Sequence, residues 1–245
     1  MRAVCVGATR GIGRALAELL AERAVALFLV GRTASDLAAL AKRLEGLGAP
    51  APVGWALLDL AQPAGFADAL AAADHALGGF DTLVLSSGVL DAQSALASDP
   101  LRLERLIRIN FTGAVLLCQM VAERLAARGG GTVCAFSSVT GDRARRSDYL
   151  YGATKAGLSF FLDGLGHAYA HRGVRVVCVK PGFVKTDMTA GLPVPAFAGE
   201  PRAVARAVLR GLERGRPVIY APMPWRWIMM VMRNVPGALV RRLRY

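Results

Sequence analysis

Tyr151 and Lys155 stand four residues apart in the segment Tyr151-Gly152-Ala153-Thr154-Lys155, and Ser138 lies thirteen positions upstream. On a helix this spacing puts a phenol and an ammonium on one face, one turn apart. A phenol titrates near 10 in water, and a nearby cation stabilises the phenolate and lowers that value. Bringing it to about 7 takes roughly 4 kcal/mol of differential stabilisation. A tyrosine tuned in this way exchanges a proton with a carbonyl oxygen near neutral pH. The spacing alone arises by chance, so its surroundings decide its meaning.

A second group of residues supplies a place for a phosphate. Gly7-Ala8-Thr9-Arg10-Gly11-Ile12-Gly13 stands between a short apolar run, 3–6, and a helical pattern over 12–23. Glycines at such a strand-to-helix turn let backbone N–H groups approach a pyrophosphate at the helix N-terminus, where the dipole favours anions. The spacing is G-x-x-x-G-x-G, and the strand–turn–helix context is what gives it weight.

Taken in order, GATRGIG, Asn110 in RINFTG, Ser138 in FSSVTG, YGATK, and Pro181-Gly182 followed by Thr186 resemble the short-chain dehydrogenases/reductases, from residue 3 to about 220. The resemblance implies one Rossmann-type domain with a doubly wound parallel seven-stranded sheet. It implies that Tyr151 is the general acid/base, that Lys155 lowers its pKa and binds the nicotinamide ribose, and that Ser138 orients the substrate carbonyl. Asn110 would hold the water that links Lys155 to solvent. Gly7, Thr9, Arg10, Gly11, Ile12, Gly13, Ser87, Gly88, Pro181 and Gly182 would line the cofactor, with Val184 and Thr186 at its carboxamide end. The chain departs from the family pattern at Val6, where threonine is usual, and at Leu85-Ser86-Ser87-Gly88, where Asn-Asn-Ala-Gly is usual. A serine hydroxyl bonds less widely than an asparagine amide, so weaker bracing between strands is expected there.

Sites of this type for NAD carry an acid at the end of the second strand to hold the ribose 2′-OH. Here that strand ends Leu29-Val30-Gly31-Arg32. With Arg10 nearby, two guanidinium groups suit a 2′-phosphate, so the expected cofactor is NADP(H). Asp59 and Leu60 match the family's adenine contacts.

The elements that must position these residues alternate along 245 residues. Apolar runs bounded by turns predict strands at 3–6, 26–31, 53–58, 82–86, 131–136, 174–179 and 217–220. Periodic segments predict helices at 12–23, 34–46, 64–77, 100–128 with a break near Asn110, 150–171 and 200–213. Such alternation predicts a parallel sheet covered on both faces, with ligands at the strand C-terminal ends. Residues 188–200, rich in glycine and proline, read as a mobile loop, the substrate lid by resemblance. No apolar run approaches the 18 or so residues of a membrane span, and the first strand begins too early for a signal peptide. Cys5, Cys118, Cys134 and Cys178 lie in apolar surroundings without metal or disulfide spacing, as expected of buried thiols in a cytoplasmic protein. His167 and His171 share a helix face, but no third ligand is apparent and no metal is expected.

Net charge is +12, compatible with nucleic acid, an anionic membrane or an anionic ligand. No nucleic-acid motif accompanies it, so no nucleic-acid partner is expected. The charge is uneven: Arg226, Arg233, Arg241, Arg242 and Arg244 fall in the last 21 residues, with no acid among them. The division expected is therefore a cofactor-binding domain, 1–221, and a basic amphipathic tail, 222–245. Trp225, Ile228, Met229, Met232 and Leu239 form a rough stripe broken at Pro236. Either a peripheral membrane contact through 225–245 or packing on the domain or a second subunit accounts for it. From Gly141 onward the chain also resembles, more narrowly, the reductases of polyprenyl-linked 2-keto-pentoses, the decaprenylphosphoryl-2-keto-pentose reductases. That resemblance implies a lipid-linked carbonyl substrate at the inner face of the cytoplasmic membrane, and a role for Arg143, Arg145 and Arg146, which lie between Ser138 and Tyr151. A solvated basic loop explains those arginines equally well. Other hydrophobic carbonyls, 3-oxoacyl or steroid-like, remain open as substrates. So does a non-catalytic NADP-binding role. The family also implies a homodimer or homotetramer.

Overall fold

The computed structural model describes residues 1–242, with side chains to residue 240. The run Ala3-Val4-Cys5-Val6 forms the buried body of β1 (Arg2–Val6), and the glycine turn leads into α1 (Gly11–Ala21). There follow β2 (Ala26–Gly31), α2 (Ala34–Gly46), β3 (Gly54–Leu57), α3 (Phe66–Leu77), β4 (Thr82–Leu85), α4 (Gln93–Ser98) and α5 (Pro100–Ile107). A π-helical turn, Arg108–Gly113, joins α5 to α6 (Ala114–Ala127). The rest is β5 (Gly131–Phe136), α7 (Tyr149–Tyr169), β6 (Val174–Pro181), α8 (Pro201–Glu213), β7 (Val218–Ala221), α9 (Pro224–Asn234) and α10 (Gly237–Arg242).

The seven strands lie in the order β3-β2-β1-β4-β5-β6-β7, every pair parallel. This is the doubly wound seven-stranded sheet that alternation predicts. Both faces are covered, which explains strands that are apolar throughout instead of alternating. Leu16, Leu37 and Val208, from α1, α2 and α8, pack against one face. Leu70, Leu117 and Leu162, from α3, α6 and α7, pack against the other. All four cysteines are buried between these layers.

The break expected near Asn110 in the helix over 100–128 is six residues of π-helix, and two other expectations need amendment. A Cβ on Gly113 would run into the carbonyl of Leu60, so this turn approaches the end of β3 as closely as the backbone permits. Residues 100–127 also prove long and apolar enough, by length and composition, to cross a membrane. Half of its most apolar 18-residue window is buried, with Leu117, Cys118, Val121 and Leu125 in the core. Finally, the stripe in the tail faces its own domain along α9, while its last member, Leu239, is exposed. Trp225 and Met229 are buried, and Ile228 and Met232 are half-buried, against Val139, Phe183 and Tyr220. The side chains of Arg241, Arg242 and Arg244 lie outside the described residues.

Candidate active site

A cleft of about 900 Å³ opens along the C-terminal ends of the strands. The turn after β1 forms its floor. Gly7 has φ +82°, and a Cβ there would lie 2.6 Å from the amide nitrogen of Ser87. A Cβ on Gly13 would collide with Ser86 Oγ and the carbonyl of Gly7. The glycines thus let the turn press against the end of β4 while α1 begins at Gly11 with its N-terminus towards the cleft. Bracing of β4 on β1 survives the serine at position 86: Ser86 Oγ donates to the carbonyls of Val6 and Gly7 at 3.1 and 3.2 Å.

The candidate cofactor residues come together in this cleft. Gly7, Thr9, Arg10, Gly11, Ile12 and Gly13 line it, as do Arg32, Asp59, Leu60, Ser87 and Gly88. Pro181, Gly182, Val184 and Thr186 close the far side, beyond β6. Thr186 caps a short turn by receiving a bond from Thr189, whose hydroxyl also reaches the carbonyl of Val184. Arg10 and Arg32 are exposed at the rim. Asp36, in the first turn of α2, lines the same rim. It is a carboxylate that the strand-end pattern does not single out, because it stands five residues beyond the end of β2.

Ser138, Tyr151 and Lys155 also line the cleft. Ser138 leaves β5 in extended conformation and caps the next turn, accepting from the amide of Thr140 at 3.2 Å. Tyr151 lies in the first turn of α7 and lines the cleft beside Ser138, whose hydroxyl donates to Thr140 Oγ1 at 3.1 Å. Lys155, one turn on, is 4% exposed and donates from Nζ to the carbonyl of Phe136 at 3.0 Å. Its Nζ lies 5.8 Å from the centre of the Tyr151 ring. Asn110 alone among the candidates does not line the cleft. It is buried, accepts from the amide of Val89 at 2.8 Å and donates to the carbonyl of Val89 at 2.8 Å. A Cβ on Gly88 would lie 3.2 Å from Asn110 Oδ1 and 3.4 Å from Lys155 Nζ, so the amide and the ammonium flank one point of backbone.

The electrostatics reverse one expectation. Burial pushes the Tyr151 phenol up to about 12, although Ser138 acts to lower it and Asp148 adds to the rise. Burial likewise brings Lys155 down to about 8. Desolvation disfavours the charged form of each, and it outweighs the attraction expected from their spacing, since Lys155 Nζ points at a carbonyl instead of the phenolic oxygen. The resting site therefore holds a neutral phenol beside an ammonium. A carbonyl oxygen bound between Ser138 and Tyr151 would meet two hydroxyl donors.

Several neighbours escaped the sequence reading. Asp148 precedes α7 and lines the cleft, and burial holds its carboxyl above the usual range. Trp225 lines the cleft against Gly182, where a Cβ would strike the indole. Behind the site, Asp142 accepts from Lys180 Nζ at 2.5 Å and from Tyr220 Oη at 2.6 Å. This ties the turn after Ser138 to β6 and β7. Partners 38 and 78 positions away leave no local pattern. Only the acid between two turns and the lysine before Pro181 hinted at it.

Comparison with known proteins agrees with this layout. A family profile described as short chain dehydrogenase matches residues 1–194. An uncharacterised oxidoreductase of Streptomyces coelicolor is 36% identical over 241 residues, 97% of this chain and 94% of that one. Carbonyl reductase family member 4 of Xenopus tropicalis is 30% identical over 224 residues, 87% of this chain and 92% of that one. Among solved structures, a short-chain dehydrogenase from Sphingobium yanoikuyae in complex with NADPH superposes with a TM-score of 0.83 at 28% identity, covering 97% and 98% of the two chains. With the ordered motifs, the parallel sheet and the serine–tyrosine–lysine cleft in place, this chain belongs to the short-chain dehydrogenase family and is an oxidoreductase.

Proposed function

We propose that the protein is an NADPH-dependent reductase of ketones and, in reverse, an alcohol dehydrogenase. One observation carries the reading: Ser138, Tyr151 and Lys155 share a single cleft with the glycine turn and with Arg10 and Arg32. The residues fit the cofactor. The glycine turn has no room for a Cβ at Gly7 or Gly13, which suits close backbone approach to a pyrophosphate at the start of α1. Two exposed guanidinium groups suit a 2′-phosphate, and the Sphingobium relative was solved with NADPH. Asp36 at the same rim weighs against that choice, and the arginines outnumber it.

The bound cofactor supplies a hydride to the carbonyl carbon. The chain's own part is the proton and the placement. Ser138 donates to the carbonyl oxygen and orients it. Tyr151 gives the same oxygen its phenolic proton as the negative charge develops there. The Lys155 ammonium stabilises the phenolate left behind. Asn110, clamped on Val89 beside Lys155, takes the water-holding role that the family resemblance gives it.

The substrate class we favour is a lipid-linked keto-sugar, a polyprenylphosphoryl 2-keto-pentose being the leading case. Two observations support it. Asp148 lines the cleft, a carboxyl that can bond a sugar hydroxyl. Arg145 lines the same end. Residues 222–245 are the segment we assign to a peripheral contact at the inner face of the cytoplasmic membrane, beside a cofactor domain of residues 1–221. Exposed apolar side chains on α6 and α7, with Phe160 85% exposed, suit a homodimer or homotetramer. The test is NADPH oxidation with a panel of ketones, hydroxylated and plain, for the wild type and Tyr151→Phe. Turnover by the wild type that falls at least about 10²-fold in the variant, the scale of a lost general acid, supports the reading. Equal turnover by both sinks it.

A further inference from the structure

We propose that the lid, residues 188–199, and the outer face of α9 form one docking surface for an anionic lipid bilayer at the mouth of the cleft. This rests on the reading of the tail as a membrane-seeking segment and extends it in two ways: the face involved is a different one, and the lid belongs to it.

The stripe of α9 that carries Trp225 and Met229 is consumed by packing on the domain. A helix lying on a soluble domain is polar on its opposite face. Here that face carries Met223, Trp227, Met230 and Val231, all exposed, with Trp227 at 53% and Val231 at 60%. Their three- and four-residue spacing places them together, about half a turn from the buried stripe. Residues 188–199 contain no charged side chain, and they expose Met188, Leu192, Val194 and Phe197. Two links join this surface to the site. Trp225 Nε1 donates to the carbonyl of Phe197 at 3.2 Å, and the same indole lines the cleft with Leu192 and Pro193. Arg143, between Ser138 and Tyr151, donates to the carbonyl of Val235 at 2.9 Å, just past the end of α9.

Charge selects the occupant. No acid follows Glu213 in the sequence, and Arg226 and Arg233 are exposed on the flank of α9. In a two-fold contact between copies the same patch meets itself, which would set these arginines against each other with no tail carboxylate to offset them. An anionic bilayer offers both the apolar interior and the opposite charge. The mouth of the cleft then opens on the lipid, and a carbonyl compound dissolved there reaches Tyr151 without crossing water.

The experiment is co-sedimentation of the full chain with phosphatidylglycerol/phosphatidylcholine vesicles and with phosphatidylcholine vesicles alone. It uses the wild type, Trp227→Asp and Val231→Asp on the helix, and Val194→Asp on the lid; none of the three residues lines the cleft. The wild type should bind the anionic vesicles preferentially. Each variant should lose about tenfold or more in partitioning, as an aspartate is forced into the interface, while NADPH binding is unchanged. If Val194→Asp binds like the wild type while the helix variants fail, the tail reading stands and the joint surface is wrong. If the wild type binds no vesicle, both are wrong. Equal binding to neutral vesicles overturns the charge argument. A drop in molecular mass for Trp227→Asp by light scattering shows that a second copy covers this face, and overturns the proposal.

Discussion

Replacing Lys155 with methionine should cost activity and change stability in a pH-dependent way. The ammonium is 4% exposed, and burial lowers its pKa from 10.5 to about 8. That shift corresponds to about 3 kcal/mol of folding free energy lost by keeping the charge inside. The sign follows from the direction. The unfolded chain binds the proton more tightly, so the penalty is complete below about pH 8 and fades as pH rises towards 10.5. Methionine is similar in length and uncharged, so it removes the penalty. It also leaves the carbonyl of Phe136 without its donor, which costs about 1–3 kcal/mol. At pH 7 Lys155→Met should therefore be about 1 kcal/mol more stable than the wild type, raising Tm by roughly 2–4 °C. At pH 10 and above it should be the less stable of the two, because the lost hydrogen bond then outweighs what remains of the charge penalty. The assay is urea unfolding of both proteins, without cofactor, from pH 7 to pH 10.5. A stability difference that stays constant across that range would refute the reasoning, since the buried charge would then not be what Lys155 costs the fold. Ketone reduction by the variant should fall at least about 10²-fold at pH 7.

Three more outcomes follow from the same geometry. For the wild type, kcat/KM for ketone reduction should decline as pH rises through about 8, where Lys155 loses its proton while Tyr151, near 12, keeps its own; a profile flat to pH 10 contradicts this assignment, because kcat/KM reports groups of the free enzyme. Asp142→Asn leaves the Lys180 ammonium without its carboxylate where both side chains are nearly buried, and should cost about 3–5 kcal/mol. Tyr220→Phe, which removes one hydrogen bond, should cost about 1 kcal/mol, and similar Tm losses for the two would show that the ion pair is not the dominant element. Gly31→Asp combined with Arg32→Ala should turn preference from NADPH towards NADH, by about 10-fold or more for a lost charge-assisted contact. Leu37 must yield for this, as a Cβ on Gly31 comes within 3.2 Å of it, and unchanged NADPH affinity would remove Arg32 from the cofactor site.

The order of elements, the short unpredicted α4 excepted, was legible in the chain because it depends on local signals. Apolar runs bounded by turns foretold all seven strands, and the glycine turn, Ser138 and the Tyr151–Lys155 pair stand where short-range pattern puts them, at strand ends and on one helix face. Burial of the four cysteines followed from their apolar neighbours. What the sequence could not decide depends on distance through space. Which way the phenol and the ammonium titrate turns on desolvation by the whole cleft, and that outweighs the four-residue spacing. The use of Asn110 turns on a π-helical turn pressed against Leu60, which no helical period reveals. The buried cluster of Asp142, Lys180 and Tyr220 joins residues up to 78 positions apart. The tail is the clearest division between the two. Composition determined that α9 is amphipathic and basic, but periodicity cannot say which apolar stripe meets the protein. Only the packing of Trp225 on Gly182 settled that one face is core and left the other, with Trp227 and Val231, outside.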